Sequence, residues 1–230
     1  METTLLKTPC KRLFPKKAEH SFYGTILIPD ISGFTKFVTR TEFSVGQEIT
    51  KQLLEVIIRN NILNLKISEI EGDAVLFYKK NALSLTQIQK QFERMLYMFD
   101  EKVEELSLKH GFKIDLSLKM IVHYGELSTY KIGRFEKLYG RAVIEAHNLL
   151  KNAISSASYL LFTRSVYNEI RKDTDNTYYS GIQLCEVYGS LEKIGYTYLN
   201  YEENQDLDAL LPFNDRSEDH PQINLSTTPV

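Results

Sequence analysis

The chain has 230 residues, enough for one generous domain with tails, and is 43% hydrophobic and 25% charged, ample material for a core. A formal net charge of −2 leaves no global basic field to attract nucleic acid or anionic lipid, and Cys10 and Cys185 have neither metal-ligand nor redox-motif spacing. No apolar run approaches the ~20 residues that cross a bilayer, and no secretory signal opens the chain, so the expectation is a soluble cytoplasmic protein with reduced thiols.

Residues 1–20 read as a basic arm, broken by Pro15. Residues 23–29 form a buried strand that ends just before Asp30. Ile49, Leu53, Leu54, Ile57 and Ile58 repeat at helical spacing, which predicts an amphipathic helix over 46–60, stopped by Asn60 and Asn61. Residues 63–70 and 74–78 are strands joined by Glu71-Gly72-Asp73, a tight hairpin in which glycine supplies the permissive backbone. Thr86 is a natural N-cap for a long helix to about residue 109, with Ile88, Phe92, Met95, Leu96, Phe99 and Val103 on one stripe and Gly111 ending it.

Residues 114–124 alternate apolar and polar, predicting a strand with one covered face, after which Gly125 opens a turn into 126–132. A helix starts at Gly140, with Val143, Ile144, His147, Leu149 and Leu150 on its covered side. Residues 159–162 form a short strand, Thr163 caps the next helix, and 181–188 pair with 193–201. The domain thus covers 21–201, and 202–230 read as an acidic, polar and largely disordered tail. The order β-α-β-β-α-β, with further α and β elements, predicts a ferredoxin-like α+β fold: a mainly antiparallel sheet with helices on one face.

Two acids stand out. Asp30 lies in Leu27-Ile28-Pro29-Asp30-Ile31-Ser32-Gly33-Phe34-Thr35 and Asp73 in Glu69-Ile70-Glu71-Gly72-Asp73-Ala74, each ending or interrupting an apolar run, where an unpaired charge is costly and usually has a task. If both runs bring their acids to one edge of a sheet, the pair of oxygen donors suits Mg²⁺ or Mn²⁺, whose remaining positions go to phosphates and water.

At these residues the chain resembles the class III nucleotidyl cyclase catalytic domain, the adenylate and guanylate cyclase homology fold. Ile28-Pro29-Asp30-Ile31-Ser32-Gly33-Phe34-Thr35 is similar to the family's opening motif, and Ile70-Glu71-Gly72-Asp73-Ala74-Val75-Leu76-Phe77 to its Ile-Gly-Asp hairpin, with Glu71 in the Ile place. Leu118-Lys119-Met120-Ile121-Val122-His123-Tyr124-Gly125-Glu126 resembles the strand ending in His-X-Gly, and Tyr139-Gly140 the start of the catalytic helix. Tyr159-Leu160-Leu161-Phe162-Thr163 and Tyr196-Thr197-Tyr198-Leu199 look like its closing strands. The resemblance covers about residues 23–201 and suggests a divergent bacterial subgroup of small single-domain cyclase-like proteins.

The resemblance implies attack of a ribose 3′-hydroxyl on the α-phosphorus of a nucleoside triphosphate, with loss of pyrophosphate and two Mg or Mn ions as cofactors. It assigns metal binding to Asp30, the Ile31 carbonyl and Asp73, and phosphate contacts to the backbone of Ser32, Gly33, Phe34 and Thr35 and, near the final strand, to Lys193. Glu69 and Lys137 fall at the two base-reading positions, Glu69 accepting from guanine-like donors. A head-to-tail homodimer is implied, each site taking its metal acids from one subunit and its catalytic helix from the other.

Two positions depart from the family. Active members carry Asn and Arg where this chain has Ile144 and Asn148. An isoleucine cannot orient a ribose, and a neutral amide cannot replace an arginine's charge at the α-phosphate; Arg141 and His147 are alternative donors on the same helix. Three readings therefore stay open: a weakly active nucleotidyl cyclase, a catalytically degenerate module that binds nucleotide or a partner protein, and, more weakly, another phosphoryl-transfer palm domain of similar topology. A diguanylate cyclase is disfavoured, since its Gly-Gly-Asp/Glu-Glu-Phe motif does not occur. The 14 Tyr and 12 Phe fall mostly at core positions with no accompanying basic stripe, so neither nucleic acid nor membrane is an expected partner.

Overall fold

In the computed structural model, which describes residues 21–172, 185–188 and 193–202, strand β1 (Phe22–Ser32) is buried from Gly24 to Ile31. The basic arm over 1–20, the tail beyond Glu202, Cys10 and the side chains of Cys185 and Lys193 lie outside the described part. On one side of β1 is β3 (Ala74–Lys80), the hairpin partner of β2 (Lys66–Glu71); on the other is β4 (Ser117–Ile132). β6 (Tyr159–Thr163) joins β4 in parallel, and β8 (Lys193–Asn200) and β7 (Cys185–Tyr188) complete the order β2-β3-β1-β4-β6-β8-β7 with antiparallel pairs. β5 (Phe135–Tyr139) pairs with the far half of β4. The expected α+β architecture with a mainly antiparallel sheet is what the chain forms.

One face of the sheet carries α2 (Phe43–Arg59), α3 (Leu85–His110) and α5 (Arg164–Lys172), with the short α1 (Phe34–Arg40) beside them. Ile49, Leu53 and Ile57 of α2 and Ile88, Phe92, Met95 and Phe99 of α3 close over Leu27, Val75, Phe77, Met120 and Val122 as the larger core. α3 begins earlier than expected, because Ser84 rather than Thr86 caps it: the Ser84 hydroxyl accepts from Gln87 N–H and the Gln87 side chain accepts from Ser84 N–H. Gly111 ends it in the left-handed conformation, as expected.

The opposite face is covered too, contrary to the expectation of helices on one side. There α4 (Arg141–Leu149) lays Ala142, Ala146 and Leu149 over a second core that includes Ile26, Ile28, Leu76, Ile121 and Leu161. The expected covered side of α4 was wrong in part, since Ile144 is 50% exposed and the short alanines face the sheet instead. From Met120 to His123, β4 is accordingly buried on both faces.

β4 also runs straight through Gly125, where a turn was expected. Gly125 pairs with Gly24 and the ladder continues; the turn comes at Gly133, whose φ is +58°, and leads into β5, an element the sequence reading lacked. Gly125 serves close approach rather than turning: a Cβ there would stand 2.7 Å from the Ala142 Cβ. β1 likewise outruns its expected end, because Asp30 pairs with Ala74 on one side and Lys119 on the other.

A polar clamp also ties α4 to the sheet, buried at its His123 end. His123 Nε2 meets Glu145 Oε2 at 3.0 Å, and Glu145 Oε1 accepts from Arg141 Nε at 2.6 Å. A carboxylate only accepts, so Nε2 donates to Glu145, while Nδ1 lies 3.0 Å from the Thr163 hydroxyl. Thr163 is thus the last residue of β6, its hydroxyl engaged with His123 and Ser165.

Two stability measurements follow from this packing. Gly125→Ala pushes α4 off β4 with nothing flexible to yield, and urea unfolding should show a loss of about 1–3 kcal/mol. The hydrogen bond from His123, helped by Arg141, holds the Glu145 carboxyl below its ordinary 4.5. The stabilisation is therefore complete above pH 4.5 and disappears as pH falls through the depressed folded value. Glu145→Gln should cost about 1–3 kcal/mol at neutral pH and flatten this acid limb, as read by thermal melts across pH.

Candidate functional site

The face that α4 half covers carries a row of charge across the centre of the sheet. β1 presents Asp30, 8% exposed, in register with Lys119 on β4, and Lys119 Nζ lies 3.0 Å from Asp30 Oδ2. Asp73 enters from the β2–β3 hairpin, where Gly72 has φ +50°. Its carbonyl accepts from Ile31 N–H at 3.1 Å, which locks the hairpin tip against β1. That bond sets Asp73 beside Asp30, close enough for its carboxyl to act on the Asp30 carboxyl. Both expected metal acids and the Ile31 backbone are thus brought together.

Burial pushes the Asp30 carboxyl above its ordinary value; Lys119 opposes this and the neighbouring Asp73 adds to it. Burial lowers Lys119, but the attraction of Asp30, Tyr159 and Asp73 outweighs it and the ammonium ends higher than usual. Tyr159 OH, on β6, accepts from Asn152 Nδ2 at 2.8 Å. The chemical content of the row is two acids that repel one another and one cation that partly compensates them.

Ser32, the last residue of β1, is half-buried, and Gly33, with φ +84°, leads into Phe34 and Thr35 of α1. Gly33 tolerates no side chain, since a Cβ would stand 2.7 Å from the Asp115 carbonyl oxygen. This keeps the backbone turn tight beside the acids.

Glu69 and Lys137 form the second cluster, on β2 and β5. Their side chains make a direct ion pair, and both are more than two-thirds buried. β5 reaches β2 because β4 overshoots the sheet; the Leu138 N–H donates to the Ser68 hydroxyl at 3.2 Å, and Tyr78 OH donates to Glu136 at 2.6 Å. His147 of α4 approaches from the other side, placing one ligand atom each from Glu69, Glu71 and His147 within 4.8 Å of one another. Ile144 is exposed on α4 and Asn148 is half-buried one turn later. Lys193 is the first residue of β8, opposite Tyr188.

Sequence reasoning missed Lys119 as a member of the site, and the Glu71–His147 approach. Lys119 carried a signal: a cation inside Leu118-Lys119-Met120-Ile121-Val122 needs a counter-charge if both faces of that strand are buried. The His147 contact has no such signal, because it depends on which face of α4 meets the sheet.

The family described as "Protein of unknown function (DUF2652)" matches residues 50–159. The uncharacterized protein Rv2561/Rv2562 of Mycobacterium tuberculosis is 29% identical over 119 residues, 49% of this chain and 56% of that protein, so the chain spans about half the length of the curated relative it matches. Among solved structures, the guanylyl cyclase Cya2 superposes with a TM-score of 0.59 at 14% identity, over 77% of this chain and 91% of that one. The adenylyl cyclase CyaB of P. aeruginosa gives 0.53 at 16%, over 78% and 95%. The guanylyl cyclase domain of the RhoGC fusion protein from the aquatic fungus Blastocladiella emersonii gives 0.50 at 15%, over 77% and 96%. At these identities the likeness concerns architecture: the chain has the fold of the class III adenylyl and guanylyl cyclase domains.

Proposed function

We propose that the chain is a nucleotidyl cyclase-like domain that binds a nucleoside triphosphate with two Mg or Mn ions in a head-to-tail homodimer and turns it over slowly. The adjacency of Asp30 and Asp73 carries this reading. Two neighbouring carboxylates, Asp30 buried on β1 and Asp73 half-buried at the hairpin tip, repel each other, and paired hard oxygen donors fit a divalent cation. Asp30, Asp73 and the Ile31 carbonyl would hold the metal, which supplies charge neutralisation at the phosphates and a lowered pKa at the attacking hydroxyl. The backbone N–H groups of Ser32, Gly33, Phe34 and Thr35, with Lys193, bind phosphate oxygens.

Glu69 and Lys137 read the base. With Glu69 at purine position 1 and Lys137 at position 6, the carboxylate accepts from the N1–H and 2-amino group of guanine while the ammonium donates to O6. Adenine in the same pose sets its N1 lone pair against the carboxylate and its 6-amino group against the ammonium, leaving buried groups mismatched. The ion pair between the two side chains supports this, because each is already oriented by the other. The exposed Tyr130, Ile132, Phe135 and Tyr139 on the β4–β5 hairpin support the homodimer, since apolar groups clustered on a protruding element favour a covering partner.

A second reading, nucleotide or partner binding without turnover, is favoured by one observation: Ile144 stands exposed on α4 where a ribose-orienting amide is expected, with neutral Asn148 in the arginine place. Losing such an electrostatic contact costs roughly 10²–10³ in rate.

Incubation with each of the four ribonucleoside triphosphates and Mn²⁺, followed by mass spectrometry, separates the readings. The expected result is slow conversion of GTP with loss of pyrophosphate, and GTP affinity above ATP affinity by about tenfold or more. Asn148→Arg should raise turnover by about tenfold or more with little change in nucleotide affinity, as the guanidinium acts on the transition state. Intact Mn²⁺-dependent binding with no product from any triphosphate selects the binding module; rapid wild-type turnover that survives Asn148→Ala overturns the role of Asn148. Asp30→Asn and Asp73→Asn should each abolish Mn²⁺-dependent nucleotide binding by calorimetry, and unchanged affinity in both removes the acids from the site.

A further inference from the structure

Lys119 is the one member of the charged row that the proposed function leaves without a task. Its position is set by the backbone: it is the cross-strand partner of Asp30, so the ammonium reaches Oδ2 at 3.0 Å by standing directly opposite it. Both side chains are shielded, 12% exposed for Asp30 and 19% for Lys119, and Asp73 acts on both, repelling Asp30 and attracting Lys119. The acid pair therefore faces an arriving cation with one of its two negative charges already compensated and one Asp30 oxygen already bonded.

We propose that Lys119 is a built-in counter-cation that keeps the acid pair from capturing a free divalent metal and makes metal capture depend on its arrival with a polyphosphate. This rests on the reading of Asp30 and Asp73 as metal ligands. A bare Mn²⁺ meets the ammonium's repulsion and a site carrying little net negative charge. A metal already chelated by a triphosphate brings a net anionic complex, for which the same ammonium is attractive. When metal and nucleotide are absent, Lys119 relieves the repulsion between the two carboxylates, so the free protein stays folded without a resident ion. The arrangement selects the metal–nucleotide complex over its parts.

The test is Mn²⁺ titration of the full chain, read by water-proton relaxation, for wild type, Lys119→Met and Lys119→Arg. Each is titrated with Mn²⁺ alone and with Mn²⁺ plus an α,β-methylene GTP analogue. Lys119→Met should bind free Mn²⁺ about tenfold or more tighter than wild type, while Lys119→Arg, which keeps the charge, stays near wild type. With the nucleotide analogue present, the advantage of Lys119→Met should vanish or reverse. Mn²⁺ should also raise the melting temperature of Lys119→Met more than that of wild type; a purely structural lysine would lower all melting temperatures without this dependence on metal. Equal free-Mn²⁺ affinity in wild type and Lys119→Met overturns the proposal, and if wild type still binds Mn²⁺ with the nucleotide, the metal-ligand reading of the acids stands without it. No Mn²⁺ binding in any protein, with or without nucleotide, overturns both. Lys119→Gln, a polar replacement, serves the same comparison if the methionine variant does not fold.

Discussion

The antiparallel pairing of β1 with β4 is the constraint on which the site depends. It runs without slippage from Phe22 opposite Leu127 to Ser32 opposite Ser117. Side chains alternate with a period of two, so a slip of one residue would turn Asp30 into the larger core and Ile31 onto the charged face. The apolar sets on both faces forbid that slip: Leu27 and Ile31 belong with α2 and α3, Ile26 and Ile28 with α4. Hydrophobic burial on two faces thus sets the register, and the register sets Asp30 against Lys119.

That contact is a poor explanation of stability. Removing two charges from water costs several kcal/mol per ion, and well-packed apolar residues often replace buried ion pairs at no loss. An apolar pair would complete the second core more simply, because Ile28 and Ile121 sit on the same strands two residues away. The acids and the lysine are better understood by what they can bind, and the tip of the hairpin that brings Asp73 to them is tied to β1 by the amide of Ile31.

α4 is placed by two interactions of different kinds. Gly125 and Ala142 let helix and strand approach closely, and the Thr163–His123–Glu145–Arg141 chain, which runs from the core out to the exposed Arg141, fixes how far along the strand the helix lies. Its position then determines what its remaining side chains meet: His147 comes to Glu69 and Glu71, while Ile144 is left at the surface. The same helix that completes the nucleotide site in the proposed reading therefore lacks the polar groups that fast chemistry requires there.

The sequence by itself determined the acids, the hairpin that carries Asp73, the long α3 with its glycine stop, the amphipathic α2 and the α+β class. These are local: the 3.6-residue stripe of α3, the left-handed Gly72 and the interrupted apolar runs all depend on neighbours in the chain. Only the tertiary structure decided that Gly125 is a point of close approach instead of a turn, that α4 covers the other face with alanines, and that Lys119 stands opposite Asp30. It likewise decided that β4 overshoots far enough for β5 to bring Lys137 to Glu69. Each of these depends on residues far apart in sequence, where strand register and helix docking are settled by packing on two faces at once. A glycine or a lysine in a strand carries the same local signal whichever partner it meets.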